Sequence, residues 1–107
     1  MIVQQYEVFV VNLNPTIGSE IKKTRPCVII SPDEMNKYLD TVVIAPITSQ
    51  SKKYPTRIRI DLEGNDNWVV IDQIRTIDKS RLTKRITLLD KKEIAAIKNV
   101  IKETFVD

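Results

Sequence analysis

Residues 25–31, which read Arg-Pro-Cys-Val-Ile-Ile-Ser, contain the apolar run from which the fold is predicted. The run Cys27–Ile30 is rich in β-branched residues, and the turn formers Ser31, Pro32 and Asp33 follow it at once. A short apolar run bounded by turn residues is typical of a buried strand. Three other runs share this pattern: Val8–Val11, Val42–Ala45 and Val69–Ile71. The sequence therefore predicts a protein built mainly from short buried strands.

A different pattern, in which apolar and polar residues alternate, occupies Thr56–Leu62. One face would carry Ile58, Ile60 and Leu62, and the other Arg57, Arg59 and Asp61. Alternation of this kind predicts a strand with one side in water. Another short strand is predicted at Arg85–Leu88.

The C-terminal segment changes to the period of a helix. Asp90 is a favoured N-cap residue, and Glu93 stands in the position that completes a capping box. One helical stripe follows, made of Ile94, Ile97, Ile101 and Phe105. We therefore predict a mainly β fold with α (α+β), in which about five to seven short strands close into a small barrel and a helix packs on it at the C-terminus. The long polar loop Asn14–Thr24 is expected to be functional.

Composition excludes several classes of protein. The chain has 107 residues, of which 42% are apolar and 29% charged, as in an ordinary single globular domain spanning 1–107. Its sequence shows no signal-peptide pattern and no run near the ~20 apolar residues of a membrane span. Cys27 is the only cysteine, so no internal disulfide can form and a reducing cytoplasm is expected. With no histidine, the chain is expected to use neither histidine-based catalysis nor a metal or other cofactor.

Positive charge is concentrated in two segments, although the net charge is only +3. Between Asp40 and Asp61 there is no acidic residue, and the cations there are Lys52, Lys53, Arg57 and Arg59. The second segment carries Arg75, Lys79, Arg81, Lys84 and Arg85 against Asp78 alone. Such a distribution suits a polyanion, and the alternative is a solvated lysine-rich surface.

Two adjacent strands are expected to bring Arg25 and Thr48 to one end of the sheet. If Pro26–Ser31 and Thr41–Ile47 pair antiparallel, the start of the first lies beside the end of the second. A guanidinium offers a planar fork of donors and a threonine hydroxyl adds another, so the pair suits a phosphate. The long connection between these strands leaves their register open, and the alternative for Arg25 is an ordinary surface residue.

Three short motifs, in order, resemble the MazF/PemK family of toxins. The first consists of Val8–Pro15, Gly18–Glu20 and Arg25–Ile30; the second is Pro46–Thr48; the third is Asp72–Asp78 followed by Arg81-Leu82. The match extends from Glu7 to the final helix, nearly the whole chain. One departure is Tyr6, because the family usually has glycine before the acidic residue of the first strand.

The resemblance implies a fold, an assembly and an activity. The fold is an SH3-like, partly open barrel of the plasmid-maintenance toxin type, acting as a homodimer. The activity is that of a type II toxin: sequence-specific, metal-independent cleavage of single-stranded mRNA, which inhibits translation and growth. Attack by the ribose 2′-hydroxyl would leave a 2′,3′-cyclic phosphate and a 5′-hydroxyl. In this family the residues matching Arg25 and Thr48 carry catalysis.

The roles of the site residues follow from this resemblance together with their chemistry. A guanidinium group is almost always charged at pH 7 and is a poor general base, so Arg25 is assigned to stabilising charge on the phosphorane. Glu20 is the first candidate for the base, with a loop-anchoring ion pair as the alternative. Asp72 is the second, with a buried hydrogen-bonding residue as the alternative. Further RNA contacts are expected from Ser19, Lys22, Lys23, Lys52, Lys53, Arg57, Arg59, Gln73, Arg75 and Arg81.

Other functions remain open at this stage. A toxin of the same barrel fold that resembles CcdB would poison DNA gyrase, and a non-catalytic SH3-like module would only bind nucleic acid. Trp68 is expected either to stack on a base or, as the favoured alternative, to pack in the core or a dimer interface. The partner implied by the family is an antitoxin with an acidic disordered tail.

Overall fold

A computed structural model describes residues 1–13, 24–50 and 54–107. The strands are β1 (Glu7–Asn12), β2 (Thr24–Ile29), β3 (Thr41–Thr48), β4 (Arg57–Leu62), β5 (Asn65–Val70), β6 (Arg75–Asp78) and β7 (Leu82–Leu88). The helices are α1 (Asp33–Tyr38) and α2 (Lys91–Ile101), with 3₁₀ turns at Ile71–Gln73 and Lys79–Arg81 and a π-helical turn at Lys102–Val106. The predicted strands and C-terminal helix are confirmed, whereas α1 and β6 were not predicted.

β3 is the strand around which the sheet curls. The strands run antiparallel in the order β4-β5-β3-β2-β1-β7, and β6 pairs with β3 outside this path. One edge of β3 pairs with β2, while the other pairs first with β6 and then with β5. This change of partner bends the sheet into a partly open barrel with a C-terminal helix, as predicted.

The apolar runs are continuous because β1, β2 and β3 are buried on both faces. In β2, Val28 belongs to a cluster that includes Ile97 of α2, whereas Cys27 and Ile29 belong to a second cluster on the opposite face. In β4 only one face is covered, since Ile58 and Ile60 are buried and Arg59 is exposed. The alternation read from the sequence is therefore confirmed.

The N-terminus of α2 is capped as predicted. The Asp90 carboxylate accepts the Glu93 N–H at 2.8 Å, and the Glu93 carboxylate accepts the Asp90 N–H at 3.1 Å. The predicted stripe is wrong at its last member, because Phe105 is 58% exposed. Beyond Ile101 the backbone takes the wider π-helical turn, in which the i→i+5 pattern rotates Phe105 away from the sheet.

Tyr6 occupies a backbone conformation that favours glycine, with φ of 69°. Its ring is nevertheless buried in the cluster that contains Val8 and Ile97. Tyrosine stands here where the family usually has glycine. It therefore introduces backbone strain but adds buried aromatic surface. Within the described ranges, no helix is long and apolar enough to cross a membrane.

Candidate active site

The register of β2 and β3 determines where Arg25 and Thr48 lie. Cys27 stands opposite Pro46, and the two residues that follow it pair in the same register. Arg25 and Thr48 each lie two residues beyond that last pair, at the same end of the two strands, and both line one pocket. Residues two positions apart on a strand point to the same face, so Arg25 shares the face of Cys27 and Thr48 shares the face of Pro46. The two residues expected to bind phosphate therefore come together.

Two prolines interrupt the hydrogen bonds of the ladder here. The Ile30 N–H donates to the Val43 carbonyl at 2.8 Å, so even-numbered residues of β2 direct their N–H groups toward β3. Pro26 is one of these positions and has no N–H to donate. Pro46 lacks the N–H that would point to the opposite edge of β3, where the partner strand changes from β6 to β5. The strands therefore lose their pairing where Arg25 and Thr48 lie.

An open pocket of about 390 Å³ occupies this end of the sheet. Its lining consists of Thr24, Arg25, Pro26, Ile47, Thr48, Ser49, Gln50 and Asn67. Arg25 and Thr48 are both half-buried, which limits their mobility while keeping them accessible. Thr48 Oγ1 accepts the Gln50 N–H at 3.2 Å, and this bond orients the hydroxyl so that its own hydrogen can be donated to a ligand. The arrangement provides two donors for an anionic oxygen.

Cys27 follows the pocket residue Pro26 in β2, and nearby positive charges affect the pKa of its thiol. Burial raises the pKa of its thiol to about 12, while the guanidinium groups of Arg25 and Arg75 lower the pKa by a smaller amount. The thiol also donates to the Arg25 carbonyl at 3.6 Å. Cys27 is therefore a neutral packing residue at neutral pH, and two arginines lie close enough to act on it.

Arg75 and Arg81 approach the site from β6 and from the turn before β7. Arg75 is exposed and stands opposite Ile44, on the face that also carries Cys27. Arg81 Nη1 donates to the Asn12 carbonyl at 3.4 Å. Because Asn12 pairs with Thr24, a residue of the pocket lining, Arg81 lies near the outer side of the pocket.

Asp72 and Gln73 lie in the turn after β5, and both are exposed. Asp72 accepts a hydrogen bond from the Thr56 hydroxyl at 2.8 Å. Neither side chain is in the lining of the pocket. The alternative interpretation of Asp72 as a buried residue is wrong about burial, although the hydrogen bond is present.

Arg57 and Arg59 lie on the uncovered face of β4 but have different surroundings. Arg59 forms an ion pair with Asp66, in which both side chains are more than half exposed. The Arg57 guanidinium lies 5.3 Å from the centroid of the Tyr54 ring. Its Nε is buried and has no hydrogen-bond partner among the described residues.

Several predicted site residues lie outside the described residues: Ser19, Glu20, Lys22, Lys23, Lys52 and Lys53. The pocket also contains residues that the sequence analysis did not identify, namely Thr24, Ser49, Gln50 and Asn67. The polar run that follows Thr48 was a usable signal for Ser49 and Gln50. Nothing in the sequence indicated Asn67, because its place depends on the pairing of β5 with β3. In the described portions of the chain, no three His, Cys, Asp or Glu side chains cluster as a metal ion would need.

The fold is that of a known class of small toxins. A solved MazE–MazF structure from Deinococcus radiodurans superimposes with a TM-score of 0.85 at 22% identity, covering 96% of this chain and 95% of that one. An endoribonuclease in complex with its cognate antitoxin, from a mycobacterial species, gives 0.80 at 19% identity, covering 94% of this chain and 92% of that one.

Sequence comparison identifies the family. The model of the PemK-like, MazF-like toxin of type II toxin–antitoxin systems matches residues 4–105. Endoribonuclease EndoA of Bacillus subtilis is 41% identical over 96 residues, which is 84% of this chain and 83% of the relative. Endoribonuclease MazF of Staphylococcus saprophyticus is 38% identical over 101 residues, which is 89% of this chain and 84% of the relative. The chain belongs to the PemK-like, MazF-like family, and the resemblance read from its motifs is confirmed.

Proposed function

We propose that this chain is the toxin of a type II toxin–antitoxin system and acts as an endoribonuclease on single-stranded mRNA. The observation that carries the proposal is the pocket between β2 and β3, whose lining holds Arg25 and Thr48 together. Relatives of 41% and 38% identity named as endoribonucleases support the same activity. Family membership also favours this function over gyrase poisoning and over a module that only binds nucleic acid.

The reaction that fits this pocket is an internal transfer at phosphorus. The ribose 2′-oxygen forms a new bond to the adjacent phosphorus, and the bond from phosphorus to the 5′-oxygen breaks. A base takes the proton of the 2′-hydroxyl, and the departing 5′-oxygen gains a proton. The products are a 2′,3′-cyclic phosphate and a 5′-hydroxyl end. The nucleophile is the substrate's own 2′-hydroxyl, so no metal-bound water is needed to supply it, and Arg25 provides the positive charge at the phosphate.

Arg25 stabilises the charge that develops on the phosphorane. Its charge is fixed, and the half-buried site holds it in place before the reaction, which is the condition for strong electrostatic catalysis. Thr48 donates its hydroxyl hydrogen to a non-bridging oxygen, since its oxygen already accepts the Gln50 N–H. The two residues act on the same phosphate from opposite strands.

The general base is assigned to Glu20, which remains a prediction because it lies outside the described residues. Asp72 is the weaker candidate. Its carboxylate is held by the Thr56 hydroxyl and is not part of the pocket lining, so we assign it the role of fixing the turn after β5.

RNA on either side of the scissile phosphate is bound by the surrounding cations. Arg75 and Arg81 lie near the pocket, and Arg57 and Arg59 extend the positive surface across β4. Gln73 is exposed in the adjoining turn and is available to a base edge. Ser19, Lys22, Lys23, Lys52 and Lys53 are proposed to extend this surface.

The test of the activity is cleavage of a long single-stranded RNA by the purified chain in EDTA. The expected products carry 2′,3′-cyclic phosphate and 5′-hydroxyl ends, and the sequences at these ends identify the RNA sequence that the enzyme recognises. A requirement for added magnesium, or 3′-hydroxyl ends, would contradict the mechanism. Absence of cleavage together with inhibition of DNA gyrase would instead support the CcdB-like alternative.

The assembly is proposed to be a cytoplasmic homodimer that an antitoxin inhibits. The similar solved structures of MazE–MazF and of an endoribonuclease with its cognate antitoxin support this. An acidic tail with apolar anchors is expected to compete with RNA for the positive surface, and folding on binding lets a short tail cover a large area. Titration of a non-cleavable RNA against the acidic peptide tests this, and a stable ternary complex with unchanged RNA affinity would contradict it.

A further inference from the structure

Trp68 lies beside Thr48 in a row of residues that crosses three strands. On β5, Trp68 stands directly opposite Thr48 of β3, and on its other side it stands opposite Arg59 of β4. Opposed residues share a face, with Cβ atoms about 4.5–5.5 Å apart. Trp68 therefore lies on the face that carries Thr48, one strand away from the proposed phosphate site.

The ring is not used in the core that the described residues form. Val69 and Val70, the next residues of β5, are almost completely buried, whereas Trp68 is only half-buried. Trp68 belongs to neither of the two hydrophobic clusters found in the described part of the chain. The expectation that its ring packs in the barrel core is therefore wrong, the alternative of a dimer interface stays a prediction, and part of a large aromatic surface is left exposed beside Thr48.

The distances favour a nucleobase as the ligand of this ring. Neighbouring strands are about 4.8 Å apart, so a phosphate held at Thr48 places an attached nucleoside within reach of the next strand. Aromatic platforms bind bases of any sequence through their faces, in company with cations that hold the backbone. Arg25 supplies the cation on the other side of Thr48.

We propose that Trp68 stacks on a nucleobase adjoining the scissile phosphate. This inference rests on the proposed ribonuclease function and adds a base-binding position to it. Stacking fixes the nucleotide in line with the phosphate, so Trp68 is a positioning residue and not a catalytic one.

Fluorescence gives a direct readout because Trp68 is the only tryptophan in the chain. The probe is an oligoribonucleotide of the mapped cleavage sequence with one 2′-deoxy residue at the attacking position, which prevents cleavage. Binding is expected to quench the tryptophan emission. Replacing single nucleotides by abasic ones should remove the quenching only at a position next to the scissile phosphate. Binding without quenching, or quenching that no single abasic position removes, would overturn the proposal.

Variants separate stacking from a structural role. Trp68→Ala is expected to weaken probe binding about 5- to 150-fold, which corresponds to roughly 1–3 kcal/mol for one stacked base. Trp68→Phe should restore most of the affinity, since it keeps an aromatic face. The control is Tyr38→Ala, which removes an aromatic residue that is 75% exposed on α1, at the far end of β2 and β3. Its binding should match that of the wild-type chain.

Two results would decide against the inference while leaving the ribonuclease function intact. If Trp68→Ala cleaves RNA with an unchanged KM, the ring does not bind substrate. If Trp68→Ala changes the sedimentation coefficient of the free protein, and the loss of affinity follows that change, the ring packs between two copies of the chain. Failure of the wild-type chain to cleave RNA would instead contradict the proposed function itself.

Discussion

The two ends of the β2–β3 pair differ in how their polar groups are satisfied. At the end next to α1, Asn36 is buried and its amide donates to the Ser31 carbonyl at 2.8 Å. The Ser31 hydroxyl contacts Asn36 Oδ1 and accepts the Val43 N–H at 3.0 Å. At the other end, Pro26 removes a ladder donor, and polar side chains line an open pocket.

This difference shows how one pair of strands serves both stability and function. Buried polar groups need partners, and the α1 end supplies them from the protein itself. The pocket end leaves Arg25 and Thr48 half-buried in the lining of an open pocket. Changes at the pocket end should therefore alter activity with little effect on stability, and changes at the α1 end should do the reverse.

The largest effect is expected for Arg25→Ala. Removing a preorganised donor to a developing oxyanion costs about 10²–10³-fold in rate, so kcat should fall by that amount. Circular dichroism and sedimentation should show the fold and assembly of the wild-type chain. Lys84→Ala, which removes one positive charge from exposed β7, serves as the control and should retain nearly full activity. Retention of more than about a tenth of the activity by Arg25→Ala would contradict its assignment.

Thr48→Ala is expected to have a smaller effect of the same kind. A hydrogen bond to a charged group contributes about 1.5–3 kcal/mol, so the rate should fall about 10- to 150-fold. Thr48→Ser keeps the hydroxyl and should be partly active in the same cleavage assay. If the serine variant were no more active than the alanine variant, the hydroxyl would not be the working group.

At the α1 end, Asn36→Ala should lower stability and leave the chemistry unchanged. It removes partners from the Ser31 hydroxyl and carbonyl, and a buried polar group without a partner costs about 1–3 kcal/mol. Urea denaturation measures the loss. The matched control is Asn99→Ala on the exposed side of α2, which should change the free energy of unfolding by less than about 0.5 kcal/mol. If the Asn36→Ala variant folded but had a much lower kcat, the α1 end would also contribute to activity. The proposed separation of stability and function between the two ends would then be wrong.

The smallest expected effect is a difference between Arg57 and Arg59 of β4 in how much each contributes to RNA binding. For Arg57→Gln, the slope of the logarithm of the RNA association constant against the logarithm of salt concentration should be shallower by about 0.7. This is the value for one phosphate contact to a single strand. Arg59→Gln should change it less, because Asp66 already compensates that charge. Asp66→Asn, which releases Arg59, should increase RNA affinity slightly. Equal slopes for the Arg57 and Arg59 variants would show that the ion pair with Asp66 does not matter for RNA binding.

Some features could be predicted because they depend on neighbours along the chain. The capping box of Asp90 and Glu93 and the alternation in β4 are local patterns, and both are confirmed. In the turn between β4 and β5, Glu63 and Gly64 have positive φ, as a two-residue hairpin turn requires. Helix α1 was missed because Asp33–Tyr38 has little apolar periodicity, and Asn36 in place of an apolar residue faces the interior.

The sequence by itself determined the family, the strand-rich class and the identity of Arg25 and Thr48 as a pair. These conclusions need only local pattern and the order of motifs. The tertiary structure decided which residues join that pair. Asn67 lines the pocket, and Trp68 stands opposite Thr48, because β3 changes partners at Pro46 and takes up β5 as its new neighbour. Pairing between strands that are distant in sequence depends on register and sheet curvature, and neither is encoded in any short stretch of the chain.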